Sequence, residues 1–89
     1  MMYIRLCLPQ ANHSLAKVFF KTAKNIYGDK IIVDDDATAM RYHKIDQSHC
    51  YDILLGEHST PKDSHNLSKK LDTLFPEDIS FEVEVTQDS

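Results

Sequence analysis

Eighty-nine residues, 42% hydrophobic and 27% charged, leave room for one domain with an ordinary globular balance and exclude a wholly disordered chain. The two glycines, Gly28 and Gly56, stand alone, which excludes a P-loop and a dinucleotide fingerprint. The formal net charge of −4 is uneven: residues 1–30 hold five basic groups and one acid, whereas residues 31–89 hold five basic groups and thirteen acids.

Residues 2–8 alternate, with Met2, Ile4, Leu6 and Leu8 on one face and Tyr3, Arg5 and Cys7 on the other. This is the pattern of a strand buried on one side, and Pro9 ends it. Asn12 is placed to cap a helix over residues 13–27, whose apolar positions fall on one broad arc. Lys17, Lys21 and Lys24 fall on the opposite arc, and Gly28 supplies the left-handed residue that closes the helix. Ile31, Ile32 and Val33 read as a short buried strand, followed by the triple acid Asp34, Asp35 and Asp36.

Residues 40–45 read in two ways: they continue the second strand past a bulge, or they form an extra hairpin strand within 37–46. Asp46, Gln47 and Ser48 form a loop. Residues 50–55 make a more apolar strand, as expected at a sheet centre. Thr60 can cap a second helix with Pro61 in its first position and Asp63 three residues after the cap. Leu67, Leu71, Leu74 and Phe75 give it an apolar face, and Pro76 stops it. Ile79, Phe81, Val83 and Val85 then alternate with Ser80, Glu82, Glu84 and Thr86, the clearest period-two signal in the chain.

The order suggests an α+β protein of ferredoxin-like type, a β-α-β-β-α-β sandwich in which two helices cover one face of an antiparallel sheet. The last strand then lies beside the first and brings Arg5 near Glu82 or Glu84 on the open face. No apolar run reaches the roughly 18–20 residues that span a bilayer. Residues 1–8 are too short for a signal-peptide core, so no membrane is implied and the expected location is cytoplasmic. Two cysteines fit that compartment, and Cys7 and Cys50 can pair if their strands are neighbours.

Few residues point to chemistry. The five histidines, His13, His43, His49, His58 and His65, lack paired-ligand spacing, so no metal and no cofactor is expected. Cys50 with a nearby histidine lacks any visible activation as a nucleophile, and no catalytic residue is assigned. The acids at 34, 35 and 36 suit either Mg²⁺ or a solvated turn that blunts a sheet edge. The central strands lack the aromatic and basic signature of an RNA-recognition motif.

Two partner surfaces remain. Asp34, Asp35, Asp36, Glu82 and Glu84 make an acidic face, and with Asp46, Asp52, Glu57, Asp63, Asp72, Glu77 and Asp78 the acidic half is suited to imitate nucleic acid. Such a face suits a protein partner, a nucleic-acid-processing enzyme for instance, and small acidic phage or mobile-element inhibitors work this way. Lys17, Lys21, Lys24, Arg41 and Lys44 are the alternative, a basic set for RNA, although the net negative charge opposes it.

The order and lengths of the elements resemble the GhoS-type antitoxin endoribonucleases, small ferredoxin-like proteins related in fold to the CRISPR adaptation nucleases. The likeness runs through the strand at 3–8, the helix at 14–27 leading into 31–35, and the tail Leu74-Phe75-Pro76-Glu77-Asp78-Ile79-Ser80-Phe81-Glu82. It implies cleavage of a toxin transcript in the bacterial cytoplasm. The adaptation nucleases carry an aspartate at the end of the first strand, where this chain has Leu8-Pro9-Gln10, so no catalytic residue carries over. The expected function is a small regulatory protein that binds a protein partner, with an antitoxin-like RNA-binding protein or endoribonuclease as the alternative. A homodimer is expected in either case, because a free sheet edge favours pairing.

Overall fold

Alternation and helical periodicity translate directly into elements. The computed structural model describes residues 2–32, 40–56 and 61–87. Within them lie β1 (Met2–Leu8), α1 (His13–Tyr27), a 3-10 turn (Gly28–Lys30), β2 (Met40–Ile45), β3 (Ser48–Leu55), α2 (Pro61–Leu74) and β4 (Glu82–Gln87). The sheet runs β2-β3-β1-β4, and every neighbouring pair is antiparallel. The described residues are thus α+β, with a four-stranded antiparallel sheet and two helices, compatible with the expected ferredoxin-like arrangement.

Helix α1 is held at both ends. The Leu15 N–H donates to Asn12 Oδ1 at 3.0 Å, and the Gly28 N–H donates to the Lys24 carbonyl. Gly28 sits at φ 57°, in the left-handed region that a side chain disfavours. Between the caps, Ala16, Phe19, Phe20, Ala23 and Tyr27 are buried. From α2 come Leu67 and Leu71, and from the segment after it Phe75. These side chains join Ile4, Leu6, Leu8, Tyr51, Ile53 and Leu55 in one core, so both helices cover the same face of the sheet.

Three expectations need correction. Ile31 makes only an isolated antiparallel bridge to Leu55, and Ile32 is exposed. Val33 lies outside the described residues. The strand beside β3 is instead β2, with Met40 opposite Ile53, so Ile31 and β2 lie along the same edge of β3. A single bridge at Ile31 makes no ladder, and the ladder forms where β2 and β3 close as a hairpin over Asp46, at φ 55°. Leu74, expected on the buried face of α2, is 49% exposed at the end of the helix, and Phe75 takes the inward place. The alternation from residue 79 becomes a strand only at Glu82; Ile79 and Phe81 pack against the core ahead of it.

Candidate functional site

Among the described residues, the helices lie on one face of the sheet only, and alternation decides what stands on the other. Cα register places Arg41, Asp52, Arg5 and Glu84 in one row across β2, β3, β1 and β4. The next row is His43, Cys50, Cys7 and Glu82. The first row alternates in charge, so each strand neighbour is an opposite charge.

Asp52 is the centre of the row and is fully buried. Arg5 forks onto it: Nε donates to Oδ1 at 2.8 Å and Nη2 donates to Oδ2 at 3.0 Å. Arg41 Nη2 donates to Oδ2 at 2.9 Å, and His43 Nε2 lies 2.9 Å from the same oxygen. Burial alone would raise the Asp52 carboxyl, but the hydrogen bonds from Arg5 and Arg41, with the nearby charges of Arg5 and His43, hold it below the ordinary carboxylate range. The same bond to Asp52 raises the Arg5 guanidinium above its usual range, against the effect of burial. Arg41 also lies 4.5 Å over the Tyr3 ring, which orders its long side chain. Toward β4 the row weakens: Arg5 Nη1 is 4.0 Å from Glu84 Oε1, and Glu84 is 59% exposed.

In the second row, Cys7 Sγ lies 2.8 Å from Cys50 Sγ, and both thiols are free. Cys7 also lines a groove of about 250 Å³ with Ser48, Ser80 and Glu82.

A second cluster lies at the other side of the β2–β3 hairpin. His13, at the start of α1, meets the edges of Tyr42 and Tyr51 with centroids 6.1 and 5.8 Å apart. Tyr42 is exposed and stacks on His49 at 6.0 Å, with its hydroxyl 2.6 Å from His49 Nδ1. The Asn12 N–H donates to the Tyr51 hydroxyl at 3.0 Å, tying the cap of α1 to the sheet.

The two residue sets expected from sequence fare differently. Glu82 and Glu84 stand exposed on the open face along β4, whereas Asp34, Asp35 and Asp36 lie outside the described residues. Lys17 and Lys21 are exposed on α1, and Lys24 is half-buried with its Nζ 5.6 Å from the Phe20 ring. Arg41 is on the open face and Lys44 on the opposite side of β2, so the sheet separates Arg41 from the other four cations. Among the described residues, no group of three His, Cys, Asp or Glu side chains is placed to hold a metal ion. No helix of the described residues is long and apolar enough to cross a membrane.

The sequence puts Arg5 near Glu82 or Glu84, and the register selects Glu84, but the stronger tie to Asp52 was missed. The signal was available: a lone acid inside Cys50-Tyr51-Asp52-Ile53-Leu54-Leu55 has to be paired if that strand is central. No protein-family model matches the chain, and neither a curated protein nor a solved structure matches it.

Proposed function

We propose that the chain is a small regulatory binding protein of the ferredoxin-like β-α-β-β-α-β type that grips a basic surface of a protein partner. The grip is the open sheet face, with Glu82 and Glu84 as its acidic contacts. The observation that supports this is the face that the two described helices leave open. Its centre is locked by the Arg5–Asp52 fork, and two exposed carboxylates flank that lock on the neighbouring strand. A rigid platform with projecting charges loses little freedom on binding, which favours a specific protein contact. A nucleic-acid-processing enzyme is the kind of partner with a matching basic surface, and an inhibitor's role follows from occupying it.

A second reading rests on His13, Tyr42 and His49. Two imidazoles on either side of an exposed aromatic ring are groups that stack bases and exchange protons, the equipment of an RNA-binding protein or an endoribonuclease.

One experiment separates the two. Immobilised wild type, the Glu82→Lys/Glu84→Lys variant and the Tyr42→Ala variant are each offered a cell extract and, separately, a labelled RNA pool at low and moderate salt. A protein captured by wild type and Tyr42→Ala, but at least about tenfold less by the charge-reversed variant, supports the platform. RNA that is bound or cut by wild type and spared by Tyr42→Ala, with no protein lost on charge reversal, overturns it in favour of the second reading.

A further inference from the structure

Cys7 and Cys50 are register partners on the two central strands, and neither is among the acidic contacts of the grip proposed above. Directly opposed residues of an antiparallel pair have Cα atoms about 4.5–5.5 Å apart, inside the range a disulfide bridges. Their sulfurs, at 2.8 Å, need less than an ångström of approach to reach the roughly 2.05 Å of an S–S bond. The two thiols differ in access. Cys50 is fully buried, whereas Cys7 is half-buried and lines the groove with Ser48, Ser80 and Glu82.

We propose that Cys7 and Cys50 form a dithiol modification site that takes up oxidising equivalents from a small disulfide, with Cys7 reacting first and Cys50 closing the bond. The Cys7 thiol gives up its proton, and its sulfur attacks one sulfur of the small disulfide. That S–S bond breaks, a mixed disulfide forms on Cys7, and the first small thiolate leaves and is protonated. Cys50 then loses its proton and attacks Cys7 Sγ. The Cys7–Cys50 bond forms, and the second small thiolate leaves and takes up the second proton. Two protein thiols are oxidised and one small disulfide is reduced to two thiols. Burial and the adjoining Cys50 thiol push Cys7 up to about 12, so little thiolate is present at neutral pH and the reaction is slow. Such a site is compatible with a reducing compartment, where protein disulfides are transient and respond to oxidant.

The test is incubation of the reduced 89-residue chain in native buffer with oxidised glutathione, followed by acid quench, alkylation and intact-mass measurement. Wild type should lose two hydrogens, keep no alkylatable thiol and carry no glutathione. Cys50→Ser should stop with one glutathione on Cys7. Cys7→Ser should keep a free Cys50 thiol and react at least about tenfold more slowly than Cys50→Ser, because access governs exchange. Circular dichroism checks that both serine variants keep the fold, and the wild-type mass stands whether or not they do. Wild type that keeps two alkylatable thiols, or that accumulates glutathione without closing the bond, overturns the proposal. So does a folded Cys7→Ser that reacts as fast as Cys50→Ser.

Discussion

The two faces of the sheet are built from the same strands by different forces. On β1, Ile4, Leu6 and Leu8 turn toward the helices and are almost wholly removed from water, while Tyr3, Arg5 and Cys7 turn the other way. The helix-covered face is held by apolar burial, which is non-directional and scales with area. The open face is held by a row of alternating charges, of which Arg41, Asp52 and Arg5 are joined at hydrogen-bond distance. One face should therefore fail when volume is removed and the other when a charge is removed. Only the second should respond to pH.

The largest effect belongs to the covered face. Phe19, on α1, is fully buried in the core. Phe19→Ala should cost about 4 kcal/mol, the sum of lost transfer energy and the cavity left behind. That is a large part of what a domain of this size possesses. Urea unfolding followed by circular dichroism reads it as a lower midpoint, and the loss should be the same at pH 5 and pH 7. A loss under about 1 kcal/mol would show that the core refills the space and is less specifically packed than its burial indicates.

Asp52→Asn is the matching test of the open face. Breaking a buried ion pair from one side leaves its partners with unmet charge, and about 3 kcal/mol is expected at pH 7. The folded carboxyl titrates below its ordinary range because Arg5 and Arg41 overcome the effect of burial. A depressed carboxylate pKa stabilises the fold above the unfolded value of about 3.9 and loses that contribution as pH falls through the folded value. The gap between wild type and Asp52→Asn should thus be full at pH 6–7, begin to close near pH 4 and shrink further below it. A gap that stays constant from pH 7 to pH 3 would mean that Asp52 acts through shape and not through charge.

The covered face was legible in the sequence because apolar periodicity reports it directly. The arcs at residues 13–27 and at Leu67 and Leu71, the Asn12 cap and the Gly28 stop all became structure. Short-range pattern ran out where a partner strand decides the outcome. Ile31 and Ile32 are as strand-like by composition as residues 40–45 are, yet Ile31 makes a single bridge whereas residues 40–45 close a hairpin with β3. The open face was half legible. Pairing of the first and last strands put Arg5 near Glu82 or Glu84, and Cys7 could meet Cys50 if their strands were neighbours; fixing that neighbourhood, and the link from Arg5 to Asp52, needs the β1–β3 register, a relation 43 to 47 residues apart along the chain. The cluster of His13, Tyr42 and His49 was invisible for the same reason, since α1 and the hairpin meet only through tertiary packing.

The smallest expected effect divides the charge row itself. Arg5 faces two acids: Asp52, buried and doubly bonded to it, and Glu84, exposed and 4.0 Å away. If burial and geometry set the worth of an ion pair, these two must differ widely. An exposed pair at that distance gains little in water and is screened further by salt, so Glu84→Gln should cost less than about 0.5 kcal/mol at low ionic strength. The Debye length falls to about 3 Å at 1 M salt, and there the difference should vanish while the loss from Asp52→Asn persists. Urea titrations of both variants at low and high salt make the comparison. A loss above about 1 kcal/mol for Glu84→Gln that survives high salt would mean that Arg5 relies on both acids equally. The row would then be one network across all four strands and not a buried pair with an exposed neighbour.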